Sequence, residues 1–271
     1  MPRLNSIALE DCLIYLQRLK PESVDLAIAD PPYNMGKDDW DSFPSKSAFY
    51  AFTEEWIDAM LPALKPGGCF YIFNTPVNCA YILQMLEARD TTILNWITWH
   101  KRDGLGGGRR KYACNQETIL FGVTGQGNRH HFDADAVRVP YQSESRMRHA
   151  EKKGILKNGQ RWYPHPDGRM CSDVWEFSSH RHKTKVNGRL VKPTHPTPKP
   201  EDMIERMVLA SSAPGDLVLD LFSGTGTTAA VCRKLGRNFL GYESNPKFHT
   251  LARKRIRSVN ANFNLTRSSA S

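Results

Sequence analysis

No two of the six cysteines (Cys12, Cys69, Cys79, Cys114, Cys171, Cys232) stand at Cys-x-x-Cys spacing. That argues against a disulfide framework and against a structural zinc site, and fits reduced thiols in a cytoplasmic protein. His130-His131 and His180-Arg181-His182 have neither a cysteine nor a carboxylate at ligand spacing beside them, so no metal is expected. Long hydrophobic runs are also missing. The longest, such as residues 24–29 and 69–73, fall far short of the ~20 residues a membrane-spanning helix needs, and no membrane partner is expected. Met1-Pro2-Arg3-Leu4-Asn5 carries no apolar stretch, so no signal peptide is expected either.

Acidic residues are scarce in one place. Residues 100–200 hold 20 Lys/Arg against 9 Asp/Glu, while the rest of the 271-residue chain holds 17 against 19. Eight of the nine histidines also fall in that stretch. A near-neutral body with a basic insert fits a region that grips a polyanion. A solvated basic face is the plainer alternative.

The periodicity divides the chain accordingly. In residues 1–101 strand and helix signals alternate: strands at 24–29, 69–74 and 93–99, and helices at 47–64 and 79–88. Pro66-Gly67-Gly68 reads as a helix stop. Residues 102–198 open on Gly104-Leu105-Gly106-Gly107-Gly108 and lose the rhythm, apart from a sheet strand near 118–123. Residues 199–260 regain it, with helices at 201–212, 227–235 and 246–257 and strands at 217–221 and 239–242; residues 261–271 read as a flexible tail. The expected fold class is α/β: one doubly wound, mostly parallel, Rossmann-like sheet built from both chain ends, with a basic insertion.

Two segments carry chemistry. Asp220-Leu221-Phe222-Ser223-Gly224-Thr225-Gly226-Thr227-Thr228 lies between a strand and a helix. Its glycines permit a sharp turn and close approach to a ligand, and the helix N-terminus behind it offers free N–H groups. About twenty residues on, the next strand ends at Tyr242-Glu243. An acid there typically takes the two hydroxyls of a ribose, so the pair describes an adenosine-bearing cofactor. A tight turn with a surface Glu is the alternative. The second segment, Asp30-Pro31-Pro32-Tyr33, closes the first predicted strand. It offers a carboxylate, prolyl carbonyls and an aromatic ring, but no nucleophile. An exocyclic amine on a nucleobase needs such a set, because its lone pair is delocalised into the ring. Acceptors for the amino N–H groups favour the pyramidal, more nucleophilic nitrogen, and an aromatic ring can stack on a base extruded from the duplex. A strand ended by a Pro-Pro turn is the alternative.

At these residues the sequence resembles the β-class amino-methyltransferases of bacterial restriction-modification systems. The motifs are Asp30-Pro31-Pro32-Tyr33, Phe222-x-Gly224-x-Gly226 and His195-Pro196-Thr197-Pro198-Lys199-Pro200, with the catalytic motif ahead of the cofactor motif. The sequence is similar in particular, over the insert as well, to small N6-adenine enzymes of type IIS systems with short asymmetric purine-rich sites. The resemblance implies S-adenosylmethionine as cofactor and DNA methylation in the bacterial cytosol. It implies double-stranded DNA as partner, with a separately encoded endonuclease and a homodimer as further partners. Residues 1–101 become the catalytic half, 102–198 the target-recognition insertion and 199–260 the cofactor half.

By position, Asp30, Pro31, Pro32 and Tyr33 would be catalytic. Phe222, Ser223, Gly224, Thr225, Gly226, Thr227, Thr228 and Ser244 would surround the cofactor with Asp220; Glu243 would hold its ribose, and Asn245 would lie near the adenine. Asp30 would touch the cofactor's amino group, and Thr197 and Lys199 would lie near its carboxylate. Asp11 and Cys12 would lie against it, although Glu10 stands where the family often has Gly. In the insert, Arg109, Arg110, Lys111, Arg146, Arg148, Lys152, Lys153, Arg161, Arg181, His182, Lys183 and Lys185 are candidate DNA contacts. Trp162 and Tyr163 would stack on bases or form the core of a small subdomain. Trp40, Asp41 and Phe43 would form a lid over the flipped base or pack a loop. N4-cytosine methylation and a non-catalytic DNA-binding module remain as alternatives.

Overall fold

The computed structural model describes residues 3–101, 109–110, 112–178, 184–186, 189–191 and 198–259. In chain order come β1 (Ser6–Leu9), α1 (Cys12–Leu16), β2 (Val24–Ala29), α2 (Lys46–Met60), β3 (Leu64–Asn74), α3 (Pro76–Glu87), β4 (Thr91–His100) and β5 (Gln116–Thr124). The insert adds α4 (Glu144–Lys153), β6 (Ile155–Lys157), β7 (Gln160–Trp162), β8 (Val174–Glu176), β9 (Thr184–Val186) and β10 (Arg189–Val191). Then follow α5 (Glu201–Ser211), β11 (Leu217–Asp220), α6 (Thr227–Leu235), β12 (Asn238–Glu243) and α7 (Pro246–Ser258).

Eight strands form one sheet in the order β1-β12-β11-β2-β3-β5-β4-β8. All neighbours pair in parallel except β3 with β5 and β5 with β4. So β5 alone runs against the rest, and its N-terminal end lies at the edge where the other strands end. The central strand β2 is apolar on both faces because both are covered. Leu26 and Ile28 point into a core shared with Met203, Met207 and Val208 of α5, Val231 of α6 and Ile256 of α7. Ala27 and Ala29 point the other way, among Tyr15 and Leu16 of α1, Trp56 and Met60 of α2, and Ile82 and Leu86 of α3. Helices on both faces of a mostly parallel sheet make the expected doubly wound α/β fold.

Helix ends follow local chemistry. Ser45 caps α2 by accepting from Ala48 N at 3.1 Å, and Asn245 caps α7 by accepting from Lys247 N at 2.9 Å with Pro246 behind it. Two expectations need correction. Pro66-Gly67-Gly68 does not stop a helix: α2 ends at Met60, a short 3-10 turn (Leu61–Ala63) follows, and the Pro-Gly-Gly run enters β3 across a register shift against β2. The insert also returns a strand to the main sheet, because β8 pairs with β4 and buries Trp175. The insert also holds the hairpin β6–β7 before β8 and the hairpin β9–β10 after it.

Candidate active site

Strand order reverses between β2 and β11. From β2 the sheet grows outward through β3, and from β11 it grows the other way through β12. Crevices beyond the strand ends at such a point are ligand sites in open α/β sheets. A cleft of about 400 Å³ opens there. Asp30-Pro31-Pro32-Tyr33 after β2, the turn after β11, Glu243-Ser244-Asn245 at the end of β12 and Asp11-Cys12 after β1 all line it, with Lys199 just before α5.

The turn after β11 is closed by backbone bonds. Ser223 N donates to Tyr242 O at 2.8 Å and Gly226 N to Ser223 O at 2.7 Å, with Gly224 (φ 50) and Gly226 (φ 76) both left-handed. The Glu243 carboxylate bridges this turn to α7: Oε2 accepts from Gly224 N and Oε1 from Asn245 N, both at 2.7 Å. Burial lifts its pKa above the usual carboxylate range, opposed by those two N–H groups. Asp220, at the end of β11, is pushed up to about 7 by burial, opposed by the Thr228 hydroxyl. The Phe222 ring is held edge-on by Trp56 at 5.8 Å. Gly226, expected at the cofactor, is instead absent from the cleft wall: it faces Ala252 of α7 and Ile7 of β1. Asp11 caps α1 by accepting from Leu13 N at 2.8 Å, and burial, with Asp11 adjacent, pushes the Cys12 thiol up to about 12. Cys12 is therefore a neutral piece of wall.

The Asp-Pro-Pro-Tyr loop is pegged from behind. Buried Asp41 accepts from Tyr33 N at 2.6 Å, Met35 N at 3.1 Å and Lys37 N at 3.2 Å. Asn78 of α3 donates to Tyr33 O at 3.0 Å. Asp41 is thus loop packing, and Phe43 packs on Phe49 and Phe52 at 5.3 Å each while also reaching the cleft. Trp40 lines the cleft and donates Nε1–H to Asp38 at 3.1 Å.

Charged groups converge behind Asp30. Lys199 Nζ lies 2.6 Å from Asp30 Oδ1 and 3.5 Å from Glu117 Oε2. The Tyr33 hydroxyl lies 3.0 Å from both Asp30 Oδ1 and Glu117 Oε2. Lys101, at the end of β4, pairs with Glu117 Oε1. Burial disfavours a charged Glu117, but Lys199 and Lys101 outweigh it and hold the carboxyl at about 2. Burial likewise disfavours the Lys199 ammonium, and Asp30 and Glu117 overcome it, so its pKa lies above the usual lysine value. Burial, with both carboxylates adding, pushes the Tyr33 phenol well above its usual range, so it stays protonated. Sequence reasoning missed Glu117 and Lys101; the one available signal was an acid heading an otherwise apolar strand.

Of the insert candidates, Arg109, Arg110, Arg148, Lys152, Lys153 and Arg161 are exposed, and Arg161 donates to Lys153 O at the end of α4. Trp162 and Tyr163 are exposed too, which corrects their reading as subdomain core. Lys111, Arg181, His182, Lys183 and Thr197 lie outside the described residues, as do the side chains of Arg146 and Lys185. Among the described residues, no helix is long and apolar enough to cross a membrane.

The DNA methylase profile N6_N4_Mtase matches residues 24–254. The chain belongs to the DNA methylase family. Type II methyltransferase M1.MboII of Moraxella bovis is 54% identical over 248 residues, 92% of this chain and 95% of that protein. The solved structure of the M1.HpyAVI–SAM complex matches with a TM-score of 0.59 at 24% identity, covering 93% of this chain and 98% of that one. PvuII DNA methyltransferase, a cytosine-N4-specific enzyme, matches with a TM-score of 0.67 at 15% identity, covering 94% and 88%.

As a DNA methylase of this family, the chain takes its methyl group from S-adenosylmethionine. The cleft fits that cofactor chemically. Asp30 brings a carboxylate to a cleft that would hold a cationic sulfonium, and Glu243 lies in the same wall beside the glycine turn, where an acid takes ribose hydroxyls. The family covers both N6 and N4 amines, so membership leaves the base open.

Proposed function

We propose that this methylase modifies N6 of adenine within a short sequence of double-stranded DNA, as the modification enzyme of a restriction-modification system. The reading rests on Asp30, whose carboxylate lies in the same cleft as Glu243 and the glycine turn. Its identity as Asp at the head of Asp-Pro-Pro-Tyr favours adenine over cytosine. In this reading Asp30 and a prolyl carbonyl each accept one amino N–H of a flipped base, which frees the nitrogen lone pair. Tyr33 stacks on that base. The cofactor supplies an electrophilic methyl group, so the chain's own work is positioning and charge stabilisation. Glu243 takes the ribose hydroxyls, Asn245 lies by the adenine, and Phe222 and Gly224 wrap the methionine part, with Asp11 and Cys12 as wall. The natural partners are DNA in the bacterial cytosol, a separately encoded endonuclease of the same specificity, and a second copy of the chain.

The test is methyl transfer from S-adenosylmethionine into unmethylated genomic DNA, followed by nucleoside mass spectrometry. N6-methyladenine is expected. N4-methylcytosine, the chemistry named for the PvuII enzyme of like fold, would keep the mechanism and overturn the base. Neither product, with cofactor bound, would remove DNA as substrate.

The exposed basic insert supports DNA binding through phosphates. Changing Arg109 and Arg110 together to Ala is expected to flatten the log Kd against log salt slope by about 2. The turnover rate at saturating DNA should stay near wild type. An unchanged slope would take both residues out of the interface.

A further inference from the structure

Glu117 does something the substrate motif alone does not explain. It is a carboxylate with a side chain only 9% exposed, and its two oxygens are divided between partners. Oε1 faces Lys101, whose ammonium also sits 4.7 Å over the Trp99 ring. Oε2 faces the Tyr33 hydroxyl at 3.0 Å and Lys199 at 3.5 Å. Lys199 and Tyr33 in turn both meet Asp30 on one oxygen, Oδ1. Asp30, Glu117, Lys101 and Lys199 thus form a quartet with no formal net charge. Burying such a group costs free energy unless the geometry is good, and its retention at a reactive centre calls for a use.

We propose that Glu117 is a positioning residue for methyl transfer: it pins the Lys199 ammonium and the Tyr33 hydroxyl against Asp30 Oδ1 and so fixes the charge and aim of Asp30. The inference rests on the reading of Asp30 as the acceptor for the target amine. Tyr33 has one proton and two carboxylate oxygens at equal distance, so donating to one turns a lone pair toward the other. Lys199, within reach of both carboxylates, compensates that repulsion. Glu117 is not the acceptor of the proton the amine loses, because two ammonium groups keep it ionised far below neutral pH. Its place is a product of topology. Only an antiparallel β5 brings residue 117 to the edge where β2 delivers Asp30 and β4 delivers Lys101.

Glu117→Gln keeps the shape and removes the charge. Among the described residues, the other charged or titratable groups nearby are Lys37 over the Tyr33 ring, Asp220 near Asp30, and the Cys79 thiol of α3 near Glu117. None of these described groups replaces Glu117 beside Lys199, so the ammonium loses one of the two carboxylates that oppose its burial. Single-turnover rate should fall by about 10- to 100-fold, with cofactor and DNA affinities within about threefold of wild type. An alkaline limb should appear at a pH where wild type stays flat, because Asp30 and Glu117 together hold the Lys199 ammonium above the usual lysine value and the variant keeps only Asp30 of that pair. Lys101→Met makes the opposite change. Glu117 keeps Lys199 but loses its other ammonium, so an acid limb should rise toward neutral pH while no alkaline limb appears. Wild-type rate in Glu117→Gln, or a loss of the same factor at every pH, would overturn the proposal. Should Glu117→Gln fail to fold, a flat acid side in Lys101→Met would overturn it just as well. The Asp30 reading fails separately, by an active Asp30→Asn whatever the limbs do.

Discussion

Asp30→Asn should slow methyl transfer by about 10²–10³-fold while cofactor affinity changes far less. The size follows from what the carboxylate meets. Lys199 Nζ is 2.6 Å from Oδ1, and the lysine side chain is 9% exposed. Glu117 still faces that ammonium at 3.5 Å, so the loss falls on the reaction: removing one preorganised group aimed at the reacting centre costs about 10²–10³-fold in rate. Asparagine keeps the shape and one acceptor oxygen, so the motif loop held by Asp41 and Asn78 should stay in place. It also brings an N–H₂ group: turned toward the target amine, that group opposes a donor with a donor. Single-turnover rates report the chemical step, and calorimetry of cofactor binding reports the site's integrity. A variant that transfers methyl within tenfold of wild type would remove Asp30 from the reaction. Equal losses in rate and in cofactor affinity would make it a binding residue instead.

What was legible in the sequence is what local chemistry dictates. The apolar run of β2 ends at Asp30-Pro31, and the prolines cannot extend a strand, so the motif falls at the strand's end. The glycine turn and α6 follow from residues adjacent in the chain. What was missed depends on contacts between distant segments. Glu117 meets Lys101 and Lys199 only because β5 runs antiparallel between β3 and β4, and no periodicity in the sequence announces a strand's direction. The four residues of β1 and five of α1 are too short to show a period, though they carry Asp11 and Cys12 to the cleft. β8 has three residues and owes its place to pairing with β4 and to Trp175. Pro66-Gly67-Gly68 reads locally as a stop, but pairing with β2 draws it into β3. Asp41 sits among polar residues and is buried because three backbone N–H groups of the motif loop need an acceptor.

Gly226→Ala should destabilise the fold and the cofactor site together, although Gly226 itself lies off the cleft wall. Its φ of 76° and ψ of 35° are left-handed, which costs an L-residue about 1–2 kcal/mol. A Cβ there would stand 2.9 Å from Ala252 Cβ and 3.1 Å from Ala252 Cα. Those atoms belong to the backbone and the stub of α7 and cannot rotate away, so the turn or the helix must shift. Overpacking of that kind costs about 1–3 kcal/mol more. At roughly 2–4 °C per kcal/mol for a domain of this size, Tm should fall by about 5–15 °C. The turn is tied to the cofactor side through Gly226 N on Ser223 O and Gly224 N on Glu243 Oε2, so a shift of Gly226 displaces the residues beside Glu243. Cofactor affinity should drop by more than tenfold. Gly215→Ala separates the two causes. Gly215 has φ 92°, yet nothing lies within 4 Å of where its Cβ would be, so that variant carries strain without the clash. If Gly226→Ala is no less stable than Gly215→Ala and binds cofactor normally, α7 gives way cheaply. The close approach of α6 to α7 then plays no part in shaping the site.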